Sequence, residues 1–303
     1  MKMETWLDLH MHSGYSADGE FAPAKLMEMC ADAGVRVAAL ADHNTMRGVD
    51  EAAEAAKKLN LCFFPAIEID CAHEGRNFHL LGYGVRRGAA AIREIADNVH
   101  QQELEASDQL VHKVKELGFF FDEDQVRSKA KNGVIVAEMI AEVVYADSRN
   151  DGNELLLPFR AGGAKSDNPL VNFFWEFCAQ GKPAYVPMYY VSLAAAVYAI
   201  QENGGAAVLA HPGANIGRNA AVTESIIRTG IDGIEAYSNY HDEETKKFYA
   251  GLAAQHQLLV TAGSDFHGRA KPAIRLGTLG HPAPKNAYDR IRELVGQRGG
   301  EVL

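Results

Sequence analysis

The sequence predicts an α/β fold: a largely parallel barrel of seven strands, interrupted by an inserted block of helices. Three observations predict it. Short apolar runs alternate with amphipathic helical stretches at both ends of the 303-residue chain, the pattern of βα units around a parallel sheet. Between residues 89 and 181 that rhythm stops and helix follows helix. The strand signals number about seven, one short of the eight in a standard (β/α) barrel. A doubly wound open sheet is the alternative, but no GxGxxG or GxxxxGK[ST] follows the first strand.

Taken in order, residues 6–10 form an apolar run ending in polar residues, as a barrel strand does. Residues 23–33 suit a helix, with Pro23 in its first turn and Gly34 at its exit. Residues 35–41 are the second strand, and the Ala-rich stretch 45–59 a helix. Residues 61–70 and 77–83 are the third and fourth strands. Helices are expected over 92–117, 134–146 and 169–180, with a Gly-, Asp- and Ser-rich loop at 147–167. The alternation returns after Pro183, with helices over 192–203, 222–229 and 242–255. Strands are expected over 206–210, 233–237 and 258–262, and a last helix over 286–297. The expected domains are therefore a barrel of residues 1–88 and 183–303 and a helical insert of residues 89–182.

Composition narrows the function. Hydrophobic residues make up 47% and charged residues 23%, which provides a core and argues against global disorder. The formal net charge is −10, unfavourable for general nucleic-acid or anionic-membrane binding. An anionic substrate stays open, because bound cations reverse the field locally. Cysteines 30, 62, 71 and 178 have no CxxC spacing and suit buried, reduced thiols. The opening MKMETWLDLH has neither the apolar run nor the cleavage site of a secretory signal. No stretch is long and apolar enough for a bilayer span, and the expected location is cytoplasmic.

The chemistry concentrates where barrel enzymes keep it. His10, His12, His43, His79, His211 and His267 fall at or near the C-terminal ends of expected strands, as do Asp18, Glu68 and Asp265. Those ends converge on one face of a parallel barrel. The His10-x-His12 spacing puts two imidazoles on one side of a strand, and Asp265-x-His267 repeats it. Imidazole and carboxylate without thiolate suit Zn, Mn or Fe. One zinc ion takes about four ligands, so nine candidates point to two or three ions, with Glu68 the best bridge. His73, His100, His112, His241, His256 and His281 lie on expected helices or loops and are read as surface or structural residues. The aromatic run 172–177 (NFFWEF) has helical spacing and suits core or cap packing.

These motifs resemble those of the PHP (polymerase and histidinol phosphatase) family. Asp8-Leu-His-Met-His-Ser with Ser16-Ala-Asp18-Gly19 is similar to its first motif, and Ala41-Asp42-His43-Asn44-Thr45 to its second. Glu68, His79 in Phe-His-Leu-Leu-Gly, Ala210-His211-Pro212-Gly213 and Gly263-Ser264-Asp265-Phe266-His267 match the rest in order. The resemblance implies a distorted seven-stranded barrel and a centre of two or three divalent ions. It implies His10, His12, Glu68 and Asp265 on a first metal, Glu68 bridging to a second with His79 and His211, and Asp18, His43 and His267 on a third. His211 is alternatively a phosphate contact or a proton donor. The helical block is similar to the insert of a subgroup of stand-alone phosphoesterases that includes nucleotide phosphatases and cyclic phosphodiesterases.

The implied activity is hydrolysis of a small-molecule phosphate ester, a nucleotide or sugar phosphate and a monoester or cyclic diester, by water activated on the metals. Glu68, His211 and Asp265 are the expected catalytic residues, and Arg218, Arg160 and Lys165 the expected substrate contacts. Two departures from the family pattern stand out: Asn44 occupies a position where Asp is common, and the insert lacks an Arg-containing helix start before Val134. Two rivals are a metallohydrolase of a C–N bond and a metal-binding accessory module without turnover. Against the first, no Lys follows a middle strand as a carbamylated bridge; against the second stands the complete ligand set.

Overall fold

The computed structural model describes residues 6–277 and 286–303. Eight strands are present among them: β1 (Leu7–Asp8), β2 (Val37–Leu40), β3 (Cys62–His73), β4 (Arg76–Tyr83), β5 (Val191–Ser192), β6 (Ala206–Leu209), β7 (Gly233–Ser238) and β8 (Leu259–Gly263). Seven of them form the path β1-β2-β3-β4-β6-β7-β8, and the two-residue β5 pairs with β3 beside it. Backbone bonds from Leu9 to Ala262 (3.1 Å) and from His12 to Phe266 (2.9 Å) return β8 to β1. The result is a nearly closed, mixed seven-stranded barrel.

The barrel is largely parallel, as expected, with one strand reversed. β4 runs antiparallel to β3 on one side and to β6 on the other. The cause is local. Glu74 and Gly75 both have positive φ, and they turn β3 directly into β4 as a hairpin, which leaves no room for a crossover helix.

Two of the apolar layers that hold the barrel pack against β2 and β3. One joins Leu7, Leu9, Val37, Phe64, Ala66, Leu81, Val208 and Ala262 to Ile291 and Val295 of the final helix, Ala287–Gln297. The other seats Ala38, Leu40 and Phe63 against Leu26, Met27, Ala52 and Ala56 of helices Pro23–Asp32 and Val49–Lys58. The rim residues sit at the end of these strands, so strand packing fixes where they point.

The chain divides into two compact units, Met1–Asp97 with Tyr190–Leu303, and Asn98–Tyr189. The second has its own core, in which Phe119, Phe159, Phe173 and Phe177 are buried together. The expected helix at 169–180 is shorter and changes character. It runs as Pro169–Phe173 and then loosens into a π-turn, Phe174–Cys178. Phe173 and Phe177 pack inward while Trp175 is 61% exposed. Two short helices were not foreseen, Glu123–Ser128 and Pro212–Ile216. Asp122 starts the first by accepting from the amides of Asp124 and Gln125. No described helix is long and apolar enough to cross a membrane.

Candidate metal centre

The rim assembles around Glu68. Its backbone is tied to the segment after β2: the Asn44 amide donates to the Glu68 carbonyl (2.8 Å) and the Glu68 amide to that of Asp42 (3.1 Å). Its side chain is fully buried, and its two oxygens face different imidazoles. Oε2 lies 3.0 Å from His10 Nε2, 3.1 Å from His12 Nε2 and 3.3 Å from His43 Nδ1. Oε1 lies 3.0 Å from His79 Nδ1 and 3.1 Å from His211 Nε2. Asp265 Oδ1 closes the first group, 3.4 Å from His10 Nε2 and 3.0 Å from His12 Nε2. On the far side His267 Nε2 is 3.1 Å from Asp18 Oδ2, and the His12 and His267 rings stack at 4.0 Å. All nine residues singled out from the sequence thus meet on one rim. His79 reaches it for a different reason than expected. It lies early in β4, opposite Asp70, and arrives at the others' C-terminal end because β4 runs the opposite way.

The donor atoms fit divalent ions. Ligands about 2.0–2.2 Å from one ion stand roughly 3–3.5 Å apart, the spacing seen here. The ring tautomers, assigned from hydrogen-bond partners, agree. His10 Nδ1 faces Glu235 Oε1 (3.0 Å) and His267 Nδ1 the Asp265 carbonyl (2.9 Å). His211 Nδ1 faces Asn215 Oδ1 (3.2 Å). His12 Nδ1 faces Ser16 Oγ (3.2 Å), whose own proton goes to Asp42. With Nδ1–H spent on those acceptors, each Nε2 lone pair is left for the rim. Asp18 Oδ1, His43 Nδ1, Asp265 Oδ1 and His267 Nε2 are buried there without a hydrogen-bond partner, which is costly unless a cation satisfies them.

Without a cation, carboxylates and rings compensate one another: against burial, Glu68, Glu235 and Asp265 hold His10 well above the usual imidazole range, and Glu68 and Asp70 raise His79 to about 9. Burial works to raise the Glu68 carboxyl, but His10, His43 and His79 hold it well below its usual range. For Asp265, burial is likewise overcome, first by Lys271 and then by His267 and His10. Burial and the neighbouring His267 and His43 push His12 down to about 3, so it presents a neutral ring, the ligand form. Asn44, His211 and Asp265 have φ of 49°, 26° and 57°. Non-glycine residues adopt that region at a cost, and such strain collects at functional sites.

Sequence reasoning missed the groups behind the candidate ligands. Glu235, fully buried in β7, accepts from His10 and from the His211 amide (2.9 Å). A carboxylate inside the apolar run GIEAY was the signal available. Gly263 makes room for it, since a Cβ there would lie 2.1 Å from that of His10 and 2.5 Å from Glu235 Oε1. Tyr240 and Lys271 each donate to Asp265 Oδ2 at 2.6 Å. Neither has a spacing that a sequence pattern would reveal. His241 is buried and structural, donating to the Ala236 carbonyl and accepting from the Gly213 amide, both at 2.9 Å. His281 lies outside the described residues.

The expected substrate contacts are placed less decisively. Arg218 is exposed; with the hydrogen bonds from Thr245, its charge helps hold Asp242 below the usual carboxylate range. Arg160 donates to the Tyr145 carbonyl (2.9 Å) and to Asp151 (3.3 Å), and Lys165 pairs with Glu176. Both are therefore engaged within the Asn98–Tyr189 unit.

Comparison with known proteins accords with this arrangement. The PHP domain model matches residues 8–147. A 3′,5′-nucleoside bisphosphate phosphatase of Chromobacterium violaceum is 30% identical over 86% of this chain and 87% of its own. The chain belongs to the PHP family. A 5′-3′ exoribonuclease of Haemophilus influenzae is 26% identical over 86% of this PHP chain and 89% of its own. A solved structure from Bifidobacterium adolescentis, described as a metal-dependent phosphoesterase, superposes with a TM-score of 0.78. It is 25% identical and covers 97% of this chain and 98% of that one.

Proposed function

We propose that this chain, a metal-dependent hydrolase of small phosphate esters, removes a phosphate from a nucleotide that carries a second phosphate. The observation that carries the chemistry is Glu68, one carboxylate whose two oxygens face different sets of imidazoles, His10, His12 and His43 on one side and His79 and His211 on the other. We take His10, His12, Glu68 and Asp265 to hold one divalent ion and Glu68, His79 and His211 a second. Asp18, His43 and His267 serve a third where it is present; Mn, Zn and Fe all suit these donors. When bound, the ions supply positive charge for phosphoryl oxygens and a water of lowered pKa. The protein's part is to hold that centre rigid and largely away from bulk water, and to position the ester against it. The assigned tautomer of His211 supports a ligand role for it over that of an acid.

The bisphosphate reading is supported by the nucleotide phosphatase relative. The exoribonuclease relative makes a short RNA end the natural competitor, but the net charge of −10 disfavours holding a long polyanion over the protein surface. Phosphate release from a nucleoside 3′,5′-bisphosphate, the corresponding monophosphate and a 5′-phosphorylated RNA oligomer tests it. Fast release from the bisphosphate alone is expected, whereas preferred degradation of the oligomer would overturn the assignment. The free cysteines, of which Cys30, Cys71 and Cys178 are buried, support a reducing, cytoplasmic setting.

Two substitutions probe substrate contacts. Lys271, held charged by Asp265 and Tyr240 after the opposing effect of burial, is a cation at the rim with three donors. Lys271→Met is expected to lower kcat/KM by about ten- to a hundredfold, the scale of one charge-assisted bond; a wild-type value would make it only a counter-ion. Arg218→Ala is expected to raise KM strongly for the bisphosphate and hardly at all for nitrophenyl phosphate. Equal losses on both esters would place Arg218 at the reacting phosphate, and no loss on either would return it to the surface.

A further inference from the structure

His79 is turned the opposite way from His10, His12, His211 and His267. Its Nδ1 faces Glu68, and its Nε2 lies 3.1 Å from Asp70 Oδ1. An imidazole that offers the Nδ1 lone pair must carry its proton on Nε2, and Asp70 is the acceptor placed to receive it. Asp70 sits directly across from His79 in the β3–β4 ladder. It is itself clamped by Asn44, whose Nδ2 donates to Asp70 Oδ2 (2.8 Å) and whose Oδ1 accepts from the Asp70 amide (3.0 Å). A carboxylate at position 44 could accept from that amide but could not donate to Oδ2, and it would set two negative charges edge to edge. The asparagine and the aspartate are therefore chemically matched.

We propose that Asp70 is a positioning residue that fixes His79 as an Nδ1 ligand, and that Asn44 is the amide that holds Asp70 to this task. The pair continues the pattern in which Glu235 orients His10, a carboxylate gripping the ring nitrogen that faces away from the ion. This inference rests on the metal-centre reading, and it assigns roles to two residues outside the expected ligand set. It also gives a reason for the departure at position 44: in this chain the acid stands on β3 and its neutral partner in the loop after β2.

The test is metal affinity, measured by chelator competition with Zn(II) and with Mn(II) on four proteins: wild type, Asp70→Ala, Asp70→Asn, and the double variant Asn44→Asp/Asp70→Asn. Asp70→Ala should weaken one equivalent by about 10- to 100-fold while the thermal midpoint of the metal-free protein barely moves. Asp70→Asn should also lose affinity, because its amide opposes that of Asn44 donor to donor. The double variant restores a matched pair with its polarity exchanged and leaves the amide oxygen at position 70 for His79, so it should regain most of the loss. Wild-type affinity in Asp70→Ala overturns the proposal. So does a double variant no better than Asp70→Asn, the result expected if residue 70 bound the ion directly. Absence of metal from the wild-type protein itself would instead overturn the metal-centre reading.

Discussion

Glu68→Ala is expected to abolish turnover, lowering kcat by at least about a thousandfold, and to remove at least one equivalent of metal from the purified protein. The carboxylate is fully buried, and its two oxygens face His10 and His12 on one side and His79 and His211 on the other. Removing it takes a shared anion from both groups at once, and no other described carboxylate lies between them. Cations held less closely give up both charge stabilisation and the lowered pKa of a bound water. The fold should persist, because the strands around Glu68 are held by backbone ladders and apolar packing. The circular dichroism spectrum and elution volume are expected to match the wild type. Phosphate release under saturating substrate, together with elemental analysis, checks both halves. Turnover near the wild-type rate would reduce Glu68 to a structural acid.

The second large effect is metal removal. Two or three equivalents of Mn, Zn or Fe are expected on the purified protein. Dialysis against a strong chelator should eliminate phosphate release and lower the thermal midpoint by several degrees. The stability effect follows from mass action: each ion that binds only the folded chain, present at about a hundred times its dissociation constant, adds roughly 2.7 kcal/mol. It is reinforced here because Asp18 Oδ1, Asp265 Oδ1, His43 Nδ1 and His267 Nε2 are buried without hydrogen-bond partners, so the empty centre bears their desolvation cost uncompensated. Adding back Mn(II) or Zn(II) should restore both properties in parallel. Less than one equivalent of metal, with full activity in chelator, would remove the basis for every role assigned at the rim.

What was legible in the sequence is what short-range patterning encodes. Strand and helix order followed from alternating apolar runs, because burying one face needs a period of about two or 3.6 whatever the surroundings. The HxH and DxH spacings announced paired donor side chains, since residues two apart on a strand share a side. The strand-end location then predicted that His10, His43, Glu68, His211 and Asp265 would converge, although up to 255 positions separate the first from the last.

Tertiary structure decided the rest. The direction of β4 was set by a tight hairpin at Glu74 and Gly75, and that direction, not its place in the strand, carries His79 to the rim. The continuation of the expected 169–180 helix as a π-turn followed from sinking Phe173 and Phe177 into one core while Trp175 stayed outside. The orienting groups were invisible for the same kind of reason. Glu235 meets His10 across 225 residues of sequence, and Asn44 meets Asp70 across 26. A hydrogen bond between side chains on different segments leaves no spacing behind, because its geometry is fixed by how those segments lie in the folded chain and not by how far apart the residues are along it. The amino acids by themselves determined which chemistry this protein carries. The packing of seven strands determined which nitrogen of each histidine faces it.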